Sequence, residues 1–241
     1  MMIGGNQPYF IPYIGYWQLI NAVDVFVLGD DYNYIERGWI NRNRLLESGQ
    51  NKFFNIEISH ASSNKKINEL FLSERYDKAE KLARLERIYR KAPYFEDGYD
   101  LMDRVLGCED RNLAYFLEHS IRKICDYLGI ETKIMNSSEI PNSSDLKREY
   151  RIYAMCKYMG AEVCINASGG QKLYTFEQFR EQGIKLGFIQ PEITPYKQFS
   201  EEFVPGLSIL DVIMFNSKEE IQRMLQSYTV LWEEGSTSAC L

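Results

Sequence analysis

Two adjacent carboxylates, Asp30 and Asp31, follow the apolar run VDVFVLG at residues 23–29. A strand formed by this run would bring both side chains to the edge of its sheet, so we predict that they face the mouth of a cleft. There they would bind sugar hydroxyls, take a proton from an attacking amine or hold a magnesium ion. A solvated pair that starts a turn explains either residue alone equally well. We therefore assign the pair as candidate catalytic residues, with both interpretations open.

A second polar cluster lies in the segment WINRNR at residues 39–44. Arg42 is flanked by Asn41 and Asn43, and a fork-shaped cation between two amides suits a phosphate or a carboxylate. Trp39 would stack on a sugar or a base, although anchoring in the core explains it equally well. A surface position is the commoner fate of such an arginine. We predict that all four residues bind substrate.

The segment GGNQPYFIPYIGYW at residues 4–17 holds three Gly, two Pro and five aromatic residues directly before a helix-like stretch. Glycines permit close backbone approach, prolines stiffen a turn, and the free amides of a first helical turn favour a phosphate or carboxylate. A turn with aromatic packing explains each residue singly. We predict a ligand-binding loop with contributions from Asn6, Gln7, Tyr9, Tyr13, Gly15 and Tyr16.

A third loop, INASGGQKLY at residues 165–174, follows another apolar run and belongs to the same predicted ligand edge. Ser168, Gly169 and Gly170 would form a nest of backbone amides, and Lys172 would neutralise a phosphate. The loop lacks the complete Gly-x-x-x-x-Gly-Lys-Ser/Thr pattern, so it is not a Walker loop. We predict substrate binding by Ser168, Gly169 and Lys172.

Histidine and cysteine chemistry is not expected. The histidines are His60 and His119, and the five cysteines include no Cys-x-x-Cys pair. A structural zinc site or a Cys/His catalytic pair therefore finds no support, and we predict no metal-ligand set from these residues. No Ser-His-Asp triad can be assembled from the sequence either.

The elements that must position these residues follow from the alternation of short apolar runs with helix-length patterns. Apolar runs lie at 1–6, 23–30, 53–59, 132–140, 162–168 and 184–190, and helical patterns at 82–92, 112–129, 146–160 and 217–232. Such alternation predicts a largely parallel sheet covered by helices on both faces. We predict a single α/β domain over residues 1–241 with a mostly parallel, Rossmann-like sheet. The nearly all-helical residues 73–129 are predicted to form an insertion or lid.

The composition limits the classes of partner. A net charge of −6 argues against general nucleic-acid binding, which needs a dominant cationic face, but it allows a local basic pocket. No stretch approaches the roughly 20 apolar residues needed to cross a bilayer, and the first residues lack the pattern of a signal peptide. Cysteines without close pairing suit a reducing compartment. We expect a cytoplasmic protein with no membrane span.

Taken in order, these motifs resemble those of the WbqC-like proteins, which occur in bacterial O-antigen and surface-polysaccharide clusters. The matching segments, between residue 6 and about residue 217, are NQPYFIPYIGYW, AVDVFVLGDD, WINRN, YRKAPYF and GLSILDVIMFNS. The resemblance implies a transferase of surface-polysaccharide biosynthesis, with glycine as the suggested group, and it favours a binding role for Arg42. The family usually has His where this chain has Asn6, so the resemblance implies hydrogen bonding at that position rather than proton transfer.

The segment YIGYWQLINAVDVFV at residues 13–27 is similar in spacing to nucleotidylyltransferase-type folds, which include pantothenate synthetase. Those folds carry His-x-Gly-His at the start of a helix, whereas Tyr13 and Tyr16 stand at the two histidine positions here. Ordinary nucleotidyl transfer is therefore not implied. Pantothenate synthetase joins a carboxylate to an amine through an acyl-adenylate, and transfer of an amino acid to an amino-sugar would need similar chemistry.

From the residues and the resemblance together we predict a transferase that attaches an aminoacyl group, with glycyl as the first choice, to the amine of a nucleotide-linked amino-sugar. The acyl donor is left open between glycine activated by ATP with magnesium and an aminoacyl carrier. The alternative is a non-catalytic protein that binds a sugar-nucleotide or glycan in a polysaccharide assembly complex. The missing catalytic histidine favours this alternative.

Overall fold

The computed structural model describes residues 1–146, 148–233 and 237–239. Its strands are β1 (Met2–Asn6), β2 (Val25–Leu28), β3 (Arg42–Glu47), β4 (Gln50–Asn55), β5 (Ile58–Ser59), β6 (Phe71–Leu72), β7 (Lys133–Asn136), β8 (Val163–Ala167), β9 (Lys185–Pro191), β10 (Tyr228–Leu231) and β11 (Thr237–Ala239). Its α-helices are α1 (Ile14–Asn21), α2 (Lys78–Tyr89), α3 (Phe95–Leu106), α4 (Leu113–Leu128), α5 (Arg148–Met159), α6 (Phe176–Arg180), α7 (Ile209–Phe215) and α8 (Lys218–Leu225). Short 3-10 helices span Ile67–Glu69, Ser137–Glu139 and Ser168–Lys172.

The main sheet has the strand order β11-β10-β9-β8-β1-β2-β7 within the described residues. The strands β7, β2, β1, β8 and β9 are parallel, and β10 and β11 are antiparallel to their neighbours. The chain builds β1, β2 and β7 in one direction and then returns beside β1 to add β8 and β9. The strand order thus reverses between β1 and β8, which is the topological switch point where open α/β sheets bind ligands. The predicted α/β class with a mostly parallel, Rossmann-like sheet is confirmed.

Two glycines in β1 allow the strands at the switch point to lie close together. A β-carbon at Gly5 would lie 2.9 Å from the carbonyl oxygen of Val27, and one at Gly4 would lie 3.1 Å from that of Ile165. Both distances are shorter than ordinary contacts of a β-carbon, so a side chain would push the neighbouring strands away. The requirement for these glycines therefore comes from the sheet itself.

Hydrophobic cores lie on both faces of the sheet, as a parallel sheet requires. The larger core joins α1 and α7 to α2, α3 and α4, and Phe10 contacts Phe116 of α4 with 6.2 Å between the ring centroids. The smaller core packs α5 and α6 against the other face. The role of residues 73–129 as an insertion or lid stays a prediction. In the part of the chain that the structure describes, no helix is both long and apolar enough to cross a membrane.

Two segments differ from the sequence-based expectation. Residues 53–59 do not form a strand of the main sheet, because they are divided between the hairpins β3–β4 and β5–β6. The helix predicted over 217–232 ends at Leu225, and β10 follows. In β10, Tyr228 and Val230 are buried while their neighbours are less so, which is the alternation of a strand. The helix prediction is therefore confirmed for residues 218–225 and wrong after them, and residues 53–55 and 58–59 are strands, as predicted, but not of the main sheet.

Candidate functional site

A cavity of about 400 Å³ lies at the switch point, over the carboxyl ends of β1 and β8. Its walls come from β1 and the loop after it, from residues after β2, from α5, and from β8 with the 3-10 helix that follows. The volume is in the usual range of small-molecule sites. We call it the switch-point cavity; its polar lining residues are Asn6, Gln7, Tyr9, Tyr32, Asn166 and Tyr174.

Asn6 and Asn166 occupy corresponding positions at the end of β1 and near the end of β8. The side-chain Oδ1 of each accepts the backbone N–H of the next residue, at 2.8 Å from Gln7 and 3.0 Å from Ala167. These bonds fix the orientation of both amide groups. Within the described residues neither Nδ2 atom has a protein hydrogen-bond partner. Both nitrogens are therefore available to donate to oxygen atoms of a ligand.

The hydroxyls of Tyr9 and Tyr32, on the wall of the switch-point cavity, are neutral at physiological pH. Burial raises the pKa of Tyr9, and the nearby Tyr13 adds a smaller increase. Burial also raises the pKa of Tyr32 to about 12, although the charge of Arg151 opposes this. Neutral hydroxyls donate and accept hydrogen bonds but do not act as bases. The cavity wall thus offers polar recognition without a strong proton acceptor.

Hydrogen bonds hold the loop of residues 7–13 by its carbonyl oxygens. The Nδ2 of Asn43 donates to the carbonyl of Phe10 at 3.0 Å, and the indole Nε1 of Trp17 donates to that of Pro12 at 3.0 Å. Asn43 and Trp17 are themselves buried. The aromatic and amide residues near the loop therefore act as fixed donors that set its path.

Ile11, within the same loop, has a backbone conformation that is rare for a branched residue. Its φ angle is 39°, in the left-handed region, and its side chain is completely buried. Such a conformation costs about 1–3 kcal/mol and persists only where surrounding contacts enforce it. The hydroxyl of Ser208 donates to the Ile11 carbonyl at 2.7 Å from the start of α7. The loop is thus held in one conformation by a residue nearly 200 positions away in sequence.

A second cavity of about 220 Å³ adjoins the first, and Tyr9 lines both. We call it the Arg44 cavity; its lining residues are Tyr9, Pro12, Tyr13, Trp39, Asn43, Arg44 and Gly206. Trp39 and Asn43, which the sequence predicts to bind substrate, therefore lie together on its wall. The cation on this wall is Arg44, which the sequence analysis did not select.

Arg42 and Asn41 are engaged by the chain itself. The Nε of Arg42 donates to the carbonyl of Gly38 at 3.0 Å, another guanidinium nitrogen donates to the carbonyl of Arg37, and the cation lies 4.2 Å from the centre of the Phe53 ring. Asn41 accepts from the hydroxyl of Tyr34 at 2.8 Å and donates to the carbonyl of Ile56, just after β4, at 2.9 Å. Both side chains thus brace the turn before β3, and neither lines a cavity described above.

The remaining predicted binding residues divide by position. Gly169 lines the switch-point cavity, whereas Ser168 and Lys172 are exposed outside it. Tyr16 is buried behind the loop, and its hydroxyl donates to the carbonyl of Gln7 at 2.9 Å. At Gly15, a β-carbon would lie 2.5 Å from the Tyr13 ring, which fills the space beside the first turn of α1. The binding roles of these residues stay predictions.

Asp31 lies behind the switch-point cavity in a buried ion pair. Its carboxylate accepts from the hydroxyls of Ser137 and Ser144, the latter at 2.8 Å, and from the guanidinium of Arg151. Burial raises the pKa of Asp31, but these hydrogen bonds and the charge of Arg151 outweigh burial and hold it below its ordinary value. The group is therefore ionised and weakly basic at neutral pH.

Asp30 is held in the same network. Its carboxylate accepts from the backbone N–H of Ser138 at 3.0 Å and from the Ser138 hydroxyl at 2.6 Å, and the Ser137 hydroxyl that donates to Asp31 lies 3.1 Å away. All four carboxylate oxygens of Asp30 and Asp31 thus accept from donors of the chain. The pair lines neither of the two cavities described above, and its catalytic role stays a prediction that would require this network to open. Among the described residues, no three His, Cys, Asp or Glu side chains cluster as a metal site.

Sequence reasoning missed Asn166, Tyr32 and Arg44. Asn166 had a usable signal, because it follows its apolar run just as Asn6 follows the first one. Arg44 also had a weak signal, because it lies two positions after Arg42 and residues two apart on a strand share a face. The choice between the two arginines depended on the turn before β3, which the sequence did not reveal.

Comparison with known proteins extends these observations. The model of the WbqC-like protein family matches residues 7–223. A protein of Mycobacterium tuberculosis, described as uncharacterized protein Rv1507c, is 30% identical over 214 residues, which cover 87% of this chain and 91% of that protein. No solved structure matches the chain. The similarity to nucleotidylyltransferase-type folds therefore stays a prediction.

Proposed function

Because the chain belongs to the WbqC-like protein family, we propose that it is a transferase of surface-polysaccharide biosynthesis. It would attach an aminoacyl group, with glycyl as the first candidate, to the amine of a nucleotide-linked amino-sugar. The switch-point cavity would bind that sugar-nucleotide. The observation that carries this proposal is the position of the cavity at the reversal of strand order between β1 and β8, where sheets of this class bind nucleotides.

The lining of the switch-point cavity suits a hydroxyl-rich ligand. Asn6 and Asn166 present oriented amide nitrogens, and Tyr9 and Tyr32 present neutral hydroxyls beside apolar rings. Sugars combine apolar ring faces with hydroxyls that donate and accept, so this mixture is complementary to them. Backbone at Gly169 allows close approach because no side chain stands there.

The proposed reaction forms one bond and breaks one. The amine nitrogen of the sugar attacks the carbonyl carbon of the activated amino acid, and the C–N bond forms as the bond to the leaving group breaks. The leaving group, AMP or a carrier thiolate, keeps the electron pair, and the amine proton passes to solvent or to that group. Amide and hydroxyl donors would stabilise the negative oxygen of the intermediate. The oxygens of Asp30 and Asp31 are already engaged, so the proposal assigns no step to a metal ion.

A non-catalytic binding protein is the second candidate, and a specific observation favours it. The polar side chains on the wall of the switch-point cavity are amides and tyrosines, and burial keeps Tyr9 and Tyr32 protonated. Neither Asp30 nor Asp31 reaches the cavity with a free oxygen. Such a wall recognises a ligand but offers no general base to an attacking amine.

Calorimetric titration with nucleotide-linked amino-sugars tests the binding step. We expect Asn6→Ala and Asn166→Ala each to weaken binding about tenfold, equal to about 1.4 kcal/mol, because each removes a donor fixed by a neighbouring backbone amide. Asn51→Ala is the matched control, because Asn51 is exposed on β4 away from the cavity. Unchanged binding in both cavity variants would reject this location of the site.

Mass spectrometry then separates the two candidates. The protein is incubated with the bound sugar-nucleotide, glycine and ATP, or with a glycyl carrier, and the products are examined for glycylated sugar with AMP, ADP or free carrier. Product formation supports the transferase. Tight binding without product from any donor supports the binding protein instead, and absence of binding rejects both.

A further inference from the structure

Arg44 is a half-buried cation whose hydrogen-bonding capacity is only partly used. One guanidinium nitrogen, Nη2, donates to the carbonyl of Gly206 at 3.2 Å. The Nε is buried and has no hydrogen-bond partner, and no carboxylate among the described residues forms an ion pair with this side chain. A buried donor without an acceptor is unfavourable and therefore rare in native proteins. The Nε of Arg151 also has no acceptor, so what distinguishes Arg44 is the lack of a carboxylate partner among the described residues together with its position on a cavity wall.

The surroundings of Arg44 strengthen its attraction for an anion. The cation lies 5.3 Å from the centre of the Trp39 ring, and Tyr13 and Pro12 complete an apolar wall around it. Gly206 has a φ of +68°, and a β-carbon there would lie 3.4 Å from the Nη2 of Arg44. Electrostatic attraction is stronger beside apolar walls than in open water. The cavity is thus small, partly shielded and positive on one side.

Arg42 shows what a structural arginine on the same strand looks like. Both residues belong to β3, but the donors of Arg42 bind the carbonyls of Arg37 and Gly38, and its cation stacks on Phe53. Arg44 differs because its Nε and Nη1 have no protein acceptor in the described residues. The guanidinium is planar and holds five N–H donors in a fixed fork, so the donors that Gly206 leaves free can bind an oxyanion.

We propose that the Arg44 cavity is an anion subsite, in which the guanidinium N–H donors of Arg44 that Gly206 leaves free bind a phosphate or carboxylate group on a small ligand. Tyr9 lines both cavities, so such a group can belong to a ligand that also occupies the switch-point cavity. Its two sources would be the phosphates of the sugar-nucleotide and the carboxylate of the free amino acid. Only the choice of these sources rests on the proposed function; anion binding by Arg44 does not.

Titrations followed by ¹H–¹⁵N NMR test the subsite directly. The probes are inorganic phosphate, uridine diphosphate and glycine, and the signals are the Nε–H of Arg44 and the indole N–H of Trp39, assigned with Arg44→Gln and Trp39→Phe. We expect saturable shifts in the wild type and at least tenfold weaker binding of the favoured probe, read at Trp39, in Arg44→Gln. Arg75→Gln removes the same charge from an exposed position before α2 and should leave binding unchanged.

The probes also distinguish the two sources of the anion. A nucleotide diphosphate that spans both cavities should shift the side-chain amides of Asn6 and Asn166 together with Trp39. Glycine bound as a separate substrate should shift Trp39 and leave those amides unchanged. Arg44→Lys keeps the charge but loses the planar fork of N–H donors, so its binding should fall between those of the wild type and Arg44→Gln.

Two results would contradict the proposed anion subsite at Arg44. Equal binding of all probes by the wild type and Arg44→Gln, with both proteins folded by their amide spectra, contradicts it. Loss of binding in Arg42→Gln with retention in Arg44→Gln also contradicts it and supports the sequence-based choice of Arg42. If phosphate binds through Arg44 but no sugar-nucleotide binds, the subsite stands and the proposed function alone is rejected.

Discussion

Two arginines near the switch-point cavity differ in their partners: Arg151 forms a buried ion pair, whereas Arg44 lines a cavity and forms no ion pair with the described residues. Behind the switch-point cavity, the ion pair of Arg151 and Asp31 is buried, with 7% and 3% of the side chains exposed, and serine hydroxyls complete the network. Arg44, in contrast, lines an open cavity and has no carboxylate partner among the described residues. The difference separates charges that hold the fold together from a charge that is left available. Sequence alone makes both look like candidates for a site.

The closed network also shapes the cavity that it does not line. The guanidinium of Arg151 lies 4.3 Å from the centre of the Tyr32 ring, and Tyr32 is part of the cavity wall. Asp30 binds Ser138, so the segment after β2 is tied to the segment after β7. Fixed carboxylates therefore position a wall of neutral groups. This arrangement favours a ligand site that is formed before the ligand arrives.

The largest expected effect comes from opening the closed network. Asp31→Ala leaves Arg151 buried without its carboxylate, and such a loss typically costs about 3–5 kcal/mol. We expect this decrease in the free energy of unfolding, measured with denaturant at neutral pH. Asp145→Ala, at an exposed position in the same region, should change it by less than about 0.5 kcal/mol. A loss below about 1 kcal/mol in Asp31→Ala would show that the network is not structural.

The stability difference between the wild type and Asp31→Ala should also depend on pH. The pKa of Asp31 is lower in the folded protein than its ordinary value near 3.9, so its contribution is fully present above that value and is lost as pH falls through the folded pKa. The difference in stability between wild type and Asp31→Ala should therefore shrink below about pH 4. A difference that stays constant with decreasing pH would contradict the ionised pair.

A smaller effect is expected from the residue that holds the strained loop. Ser208→Ala removes the bond to the Ile11 carbonyl and the cap on Leu210 N–H at 3.2 Å, a loss of about 1–2 kcal/mol. Ser217→Ala removes a comparable cap from α8 but touches no loop residue. We expect both variants to be less stable, and only Ser208→Ala to bind sugar-nucleotide more weakly in calorimetric titration. Equal binding by the two would show that the loop conformation does not depend on Ser208.

Asp211 extends the comparison because it is a buried carboxylate that, unlike Asp31, is held by neutral donors alone. It is completely buried and accepts from Tyr196 at 2.7 Å, Tyr89 at 2.9 Å and Gln198 at 3.0 Å, but it forms no ion pair with the described residues. Burial raises its pKa, and these three hydrogen bonds only partly oppose the rise. Without a cation, burial outweighs hydrogen bonding, the reverse of the balance at Asp31.

The raised pKa of Asp211 predicts a slope of stability with pH. The folded state holds the proton more tightly than the unfolded state, so this contribution is present below the unfolded pKa and is lost as pH rises through the folded one. The slope cannot exceed about 1.4 kcal/mol per pH unit for one proton. Asp211→Asn should remove this decrease, measured as the free energy of unfolding at several pH values above 4. If the free energy of unfolding changed with pH in the same way in the wild type and in Asp211→Asn, the raised pKa of Asp211 would be contradicted.

The sheet and the position of the cavity were predictable, because the strands around the switch point are short apolar runs followed by polar residues. Asn6, Gln7, Tyr9 and Gly169 were found by this rule, and they line the switch-point cavity. The position of β10 was not predictable, because no Gly or Pro separates it from the helical pattern of α8. Local sequence thus located the ligand edge but not every element.

The closure around Asp31 could not be predicted from local sequence. Its partners Ser137, Ser144 and Arg151 lie 106 to 120 residues away along the chain. Whether Arg42 is free to bind a ligand likewise depends on the turn of residues 35–38, because carbonyls of that turn accept hydrogen bonds from its guanidinium. Whether a charged side chain is available is a property of its tertiary partners, so residue type and spacing cannot decide it.

The smallest expected effect tests the comparison most directly, because the same substitution, arginine to methionine, is made at Arg44 and at Arg151. Arg44→Met removes no ion pair, and the loss of its long hydrogen bond to Gly206 and its contact with Trp39 is offset by eliminating a buried donor without an acceptor, so we expect the free energy of unfolding to change by less than about 0.5 kcal/mol. Arg151→Met leaves Asp31 buried and unpaired, so it should cost about 3 kcal/mol or more. Denaturant unfolding of both variants, beside phosphate titration of Arg44→Met, measures the contrast. Equal costs would make Arg44 a structural residue, whereas lost anion binding at unchanged stability is what an available charge requires.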